Sequence, residues 1–219
     1  MFNLNFSSPE RSIQKVLCLG AHCDDIEIGC GGTVMQLAKA NPQATFYWVV
    51  FSSNSLRAAE GLASAEAFLR EAPLKNILIK DFRDGFFPFN GEKLKEAFEA
   101  LKGEVSPDLI FTHYLQDRHQ DHRVVSELTW NTFRNHLILE YEIPKYDGDL
   151  GQPNCYVPLA KATCEAKVTY LMDYFLSQRE RSWFTEDTFL SLMRLRGLES
   201  NAPAKYAEAF HLRKMVISA

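Results

Sequence analysis

Two short stretches of the sequence concentrate side chains capable of acid–base and metal chemistry. GAHCDDIEIGCGGT, residues 20–33, carries His22, the adjacent pair Asp24 and Asp25, and Glu27. HYLQDRHQDHR, residues 113–123, carries His119, Asp121 and His122, so that with His113 three of the six histidines crowd within ten residues. This much carboxylate beside a glycine-rich stretch is costly unless a cation offsets it. A hydrolytic zinc ion takes three nitrogen or oxygen donors from the protein and leaves one position open for water, and two His with one Asp meet that requirement. Neighbouring side chains on an extended or turning backbone point different ways, so one aspartate of the pair can hold metal while the other faces the water.

These motifs also carry a resemblance. HxDD followed by GCGGT, with a later HxDH, resembles the PIG-L/LmbE family of zinc-dependent N-deacetylases, which act largely on N-acetylglucosamine-type sugars. The resemblance covers roughly residues 13–125, with a weaker echo at YAEAF, 206–210. It implies that His22, Asp25 and His122 bind one Zn2+ per chain. It further implies that Asp24 is the general base, that His119 polarises or protonates at the reacting centre, and that Asp121 orients His119. Arg57 stands where the family has a substrate-binding arginine, and Asp84 is a candidate acceptor for sugar hydroxyls. The implied activity is hydrolysis of an N-acetyl group on an amino sugar or sugar conjugate, with release of acetate and a free amine. Two departures stand out: Cys23 replaces a common Pro, and Ile26 separates the aspartate pair from Glu27, which receives no role.

The elements that must position these residues follow from hydrophobic patterning. IQKVLCLG (13–20), QATFYWVVFSS (43–53), LKNILIK (74–80) and PDLIFTH (107–113) read as buried strands. Helical stripes lie between them at Gly32–Ala40, Leu56–Arg70 and Gly91–Lys102, and another is expected over Val124–Leu139. Strand and helix in alternation predict a Rossmann-like α/β three-layer sandwich, a single domain with a mainly parallel twisted sheet. Ligands collect at the carboxyl ends of such strands, and both motifs fall there. Residues 1–12 read as an N-terminal extension. Residues 141–160, rich in Pro and Gly, read as an irregular excursion suited to a lid or an oligomer contact, with room for a short strand. Residues 161–177 and 186–197 look helical, and FHLRKMVI suggests an edge strand.

Composition narrows the rest. Over 219 residues, 46% hydrophobic and 24% charged content excludes collagen-like, disordered and coiled-coil classes. A net charge of −4 without a basic patch gives no attraction to nucleic acid, and no apolar run is long enough for a membrane span. Five cysteines without CxxC spacing argue for reduced thiols and a cytoplasmic protein rather than a disulfide or cysteine-zinc framework. GCGG lacks the G-x-G-x-x-G spacing of a dinucleotide loop. Arg179, Arg181, Arg194 and Arg196 suit a salt-bridged helix surface better than a phosphate patch. The rival functions are a sugar or nucleotide-sugar binding protein without catalysis and a metal-dependent phosphoesterase, the latter wanting more carboxylates than the two motifs supply. A small N-acetylated sugar is the expected partner, and a homo-oligomer is compatible with the excursion.

Overall fold

Strand β1, Lys15–His22, shows how one run of sequence serves two cores. Val16 and Cys18 point to one face of the sheet while Leu17 and Leu19 point to the other. A strand buried on both faces must be apolar throughout rather than alternating. The computed structural model describes residues 12–216. Residues 1–11 of the expected N-terminal extension lie outside that range.

β1 is followed by α1 (Asp25–Ala40), β2 (Thr45–Ser52), α2 (Ser55–Phe68), β3 (Leu74–Ile79), α3 (Gly91–Glu104), β4 (Leu109–His113) and α4 (Gln120–Thr132). Then come β5 (Leu137–Tyr141), β6 (Cys155–Leu159), α5 (Lys161–Tyr174), α6 (Glu186–Glu199) and β7 (Tyr206–Leu212). The seven strands form one sheet in the order β3-β2-β1-β4-β5-β7-β6. β1 to β5 run parallel, and β7 runs antiparallel to both of its neighbours. The helices α1, α2, α5 and α6 pack on one face through residues such as Ile26, Phe68, Leu171 and Met193. On the other face lie α3 and α4, with Leu94, Phe98 and Val125. This is the expected three-layer α/β sandwich in a single domain.

The structure corrects three boundaries. The helix expected over Val124–Leu139 ends at Thr132, and Leu137–Tyr141 becomes strand β5. A short, mostly apolar run such as LILEY is ambiguous between helix and strand, and here the register beside β4, Leu109↔Leu137 to His113↔Tyr141, decides it. Helix α1 begins at Asp25, not Gly32. The terminal strand is β7, an interior strand rather than an edge; β6 takes the edge.

The glycines of α1 explain themselves by close packing. A Cβ on Gly29 would sit 2.1 Å from the Tyr141 ring, one on Gly31 2.4 Å from Phe68, and one on Gly32 2.7 Å from Leu159. Glycine here lets the helix lie directly on its neighbours, so GCGG is a packing surface rather than a phosphate cradle. Among the described residues no helix is long and apolar enough to cross a membrane.

Candidate metal and active site

β1 and β4 are neighbours whose carboxyl ends lead into the two motifs, so sheet topology alone brings residues a hundred positions apart together. His22 ends β1, Asp25 begins α1, and His122 lies in the first turn of α4. Their donor groups form a triangle of similar sides, in which Asp25 meets His22 through one carboxylate oxygen and His122 through the other. His22 Nδ1 lies 3.3 Å from His122 Nε2 and 3.4 Å from Asp25 Oδ2, and His122 Nε2 lies 3.5 Å from Asp25 Oδ1. Ligands about 2.0–2.1 Å from a tetrahedral zinc are separated by about 3.3–3.4 Å, so the triangle has the dimensions of such a site.

The other nitrogen of each histidine is tied to a carboxylate, which turns the remaining lone pair inward. His22 Nε2–H is shared between Asp121 Oδ2 at 3.2 Å and Asp84 Oδ1 at 3.0 Å. His122 Nδ1–H donates to Asp117 Oδ2 at 3.0 Å. Burial together with the nearby His113 lowers the pKa of His122 to about 3, so its imidazole is neutral as ligation requires. His22 behaves oppositely: burial opposes its charge, but Asp121, Asp25 and Asp84 raise its pKa well above the usual value. Burial also works against the Asp25 carboxylate, yet His122 and His113 hold its pKa well below the usual range. A cation held at His22 Nδ1 would therefore have to displace a proton.

Two further histidines stand close enough to share such a site: His119 groups with His22 and His122, and His113 groups with Asp25 and His122, their ligand atoms within 4.8 Å of one another. His113, fully buried and stacked on His122 at 3.9 Å, has its Nε2 3.0 Å from the Ala21 N–H and 3.2 Å from Asp25 Oδ2. It can accept from the first or donate to the second, and either use leaves no lone pair on Nε2. His119 caps α4, its Nδ1 accepting the Asp121 N–H at 3.3 Å. That assigns its proton to Nε2, and burial with the adjacent His22 lowers its pKa, keeping it neutral.

Asp24 occupies a special position. As N-cap of α1 it has φ 130°, a backbone region that residues with side chains rarely adopt, and its carboxylate makes no capping bond. Oδ1 instead meets Arg57 Nη2 at 3.1 Å. Arg57 also bonds the Cys23 carbonyl, contacts Glu60 at 3.3 Å and lies over the Phe175 ring at 5.1 Å. Burial raises the Asp24 pKa, the Arg57 charge opposes the rise and Asp25 adds to it, with the result at about 7. A carboxylate so placed is matched to proton transfer near neutrality.

These groups line a cleft of about 800 Å³. Its floor includes His22, Asp24, Asp25, His119 and His122, and its walls include Arg57, Asp84, Tyr146 and Trp183. The sequence-derived set His22, Asp24, Asp25, Arg57, Asp84, His119 and His122 thus converges on one cleft. The side chain of Asp121 is fully buried beneath it and does not reach His119 as expected. Its oxygens take His22 Nε2–H, the Gly85 N–H at 2.7 Å and the Phe87 N–H at 3.1 Å, so it orients His22. Asp84, expected to meet sugar hydroxyls, already contacts His22 while its side chain stays 74% exposed.

Asp117 escaped the sequence reading, although it lies two residues before His119 in the motif itself. Of the four arginines, Arg196 is buried in an ion pair with Glu142 at 2.6 Å, Arg194 bonds the Lys205 carbonyl and Arg179 the Met172 carbonyl. Only Arg181 of these lines the cleft. The five cysteines are free thiols, four of them buried, in line with packing rather than ligation.

The profile of the family described as PIG-L, GlcNAc-PI de-N-acetylase, matches residues 17–133. A diacetylchitobiose deacetylase of Thermococcus kodakarensis is 26% identical over 137 residues. That match covers 55% of this chain and 49% of the relative, so the chain spans about half the length of that protein. Among solved structures, the N,N′-diacetylchitobiose deacetylase of Pyrococcus horikoshii superposes with TM-score 0.71 at 20% identity, covering 95% of this chain and 87% of that one. GalB, the 4-carboxy-2-hydroxymuconate hydratase of Pseudomonas putida, superposes with TM-score 0.75 at 14% identity, covering 94% and 98%. The same fold therefore carries both deacetylation and hydration, and the choice between them belongs to the site.

Proposed function

The chain belongs to the PIG-L (GlcNAc-PI de-N-acetylase) family, and on that premise we propose that it is a zinc-dependent N-deacetylase acting on an amino sugar or sugar conjugate. The observation that carries this reading is the triangle of His22 Nδ1, Asp25 and His122 Nε2 with Asp24 beside it on the floor of an open cleft. Those three residues would hold the ion, which when bound supplies a Lewis acid for the amide carbonyl and a more acidic water. Asp24 takes a proton from the attacking water and returns it to the departing nitrogen, so one carboxylate serves as base and then acid. Arg57 fixes that carboxylate at 3.1 Å and keeps it from swinging toward the cation. His119, neutral with its proton on Nε2, donates to the oxygen on which charge develops. Acetate and a free amine leave through the cleft, whose 800 Å³ suits a sugar with further substituents.

A two-metal phosphoesterase would need an independent second ligand set. Among the described residues the groups that could hold a metal ion, His22 with His119 and His122, Asp25 with His113 and His122, and His22 with Asp84 and Asp121, all draw on His22 or His122, so none supplies an independent second set. A pure binding protein has no use for a buried carboxylate held at strained backbone beside a ligand set. The test is Asp24→Asn in zinc-loaded protein, assayed for acetate release across N-acetylated sugars and their nucleotide conjugates. Zinc should be retained and turnover should fall about 10²–10⁴-fold. Undiminished turnover would remove Asp24 from the mechanism, and a wild-type protein releasing acetate from none of the panel would overturn the substrate class.

A further inference from the structure

Beside His122 lies a second cluster of charges to which the reaction above assigns no role, and its central residue, Lys145, also lines the cleft. Asp117 accepts the His119 N–H on Oδ1 at 2.8 Å and presents Oδ2 to both His122 Nδ1 at 3.0 Å and Lys145 Nζ at 2.9 Å. Lys145 Nζ also lies 2.6 Å from Asp149 Oδ2, and that oxygen accepts the Arg118 N–H at 2.6 Å. The side chains of Lys145, Asp117 and Asp149 are 9%, 3% and 6% exposed. One ammonium thus joins two buried carboxylates, one on the loop before α4 and the other on the segment between β5 and β6. That segment also contributes Ile143, Tyr146 and Asp147 to the cleft wall.

Resting on the metal reading above, we propose that Lys145 is a positioning residue. It holds Asp117 against His122, so that Nε2 of His122 keeps its aim at the ion, and in the same contact it fastens the 142–154 segment over the cleft. Removal of the ammonium leaves two buried carboxylates facing one vacated position. They repel, and the repulsion is relieved when Asp117 leaves His122 Nδ1, when the segment is displaced or when one carboxylate takes up a proton, each of which weakens the hold on His122 or on the segment. Metal binding and the order of the cleft wall are consequently coupled, and the coupling is reciprocal.

The experiment measures zinc affinity by competition with a chromophoric chelator, together with hydrogen exchange over 142–154 in zinc-free and zinc-loaded protein. Lys145→Met should weaken zinc binding about 10-fold or more, the range found when partners of metal-bound histidines are removed. It should also abolish the extra protection that zinc confers on the segment. Lys145→Arg should recover most of both effects, and Lys161→Met, at a lysine 72% exposed and outside the cleft lining, should change neither. Should Lys145→Met fail to fold, Asp149→Asn, which removes only the outer anchor, is read in the same two assays. Zinc affinity within twofold of wild type in a folded Lys145→Met protein overturns the positioning role while leaving the metal reading intact. A wild-type protein that binds no zinc overturns both.

Discussion

Helix α1, which begins at Asp25 on the floor of the cleft, is braced from below by a buried ion pair whose removal has a calculable cost. Lys167 and Glu208, each 2% exposed, meet at 2.7 Å. Lys167 Nζ also donates to the Ile28 carbonyl at 2.6 Å, and Glu208 accepts the N–H groups of Gly32 at 2.8 Å and Thr33 at 2.7 Å. Lys167→Met leaves Glu208 as an uncompensated buried carboxylate, which costs about 3–5 kcal/mol. For a chain of this length each kcal/mol moves Tm by about 2–4 °C, giving a drop of about 6–20 °C. The double variant Lys167→Met/Glu208→Gln removes both charges. Its amide oxygen can satisfy one of the two helix N–H donors, leaving a deficit of about 1–3 kcal/mol for the other. The double variant should therefore be more stable than Lys167→Met alone. Urea unfolding in the presence of a metal chelator measures all three proteins without a contribution from bound ion. A Lys167→Met variant within about 1 kcal/mol of wild type, or a double variant no better than the single one, would refute the argument.

Two further outcomes follow from the site and its surroundings. Arg57→Lys keeps the charge but loses the fork whose Nη2 meets Asp24 and the Cys23 carbonyl while Nη1 is anchored on Glu60; kcat for acetate release should fall about 10–100-fold, the equivalent of one charge-assisted hydrogen bond, with zinc content unchanged. His211, stacked on Tyr114 at 3.6 Å, has its pKa lowered from 6.5 to about 4 by burial, with the charges of Arg196 and Arg213 adding to the effect. The folded state favours its neutral form, so its contribution to stability is present above pH 6.5 and is lost as pH falls from 6.5 toward 4. Replacement by Gln should flatten Tm against pH in that window, and identical profiles for the two proteins would exclude His211 as the source.

The sequence was most legible where local pattern and local chemistry coincide. The apolar runs of β1, β2 and β4 are buried on both faces and leave no competing interpretation. The two motifs name their own donor types, and their place at the carboxyl ends of two parallel strands puts them on one rim. Leu137–Tyr141 was illegible because a run as short as LILEY fits a helix end as well as a strand, and only pairing with β4 and β7 distinguishes them. Asp117 was passed over for a related reason: an aspartate in a polar loop looks solvated until a distant lysine and a histidine close around it.

The sequence by itself determined the kinds of atoms available: imidazole and carboxylate donors, an acidic pair, a run of glycines and an alternation of strands with helices. Residue type and spacing are local properties, and local physics reads them directly. Tertiary structure alone decided which nitrogen of each histidine is free, because that depends on which carboxylate reaches the other nitrogen. Asp121 went to His22 rather than His119, and Asp117 went to His122, through contacts spanning 99 residues in the first case and 5 in the second. The glycines of α1 likewise acquired their meaning only when Tyr141, Phe68 and Leu159 came to rest against them.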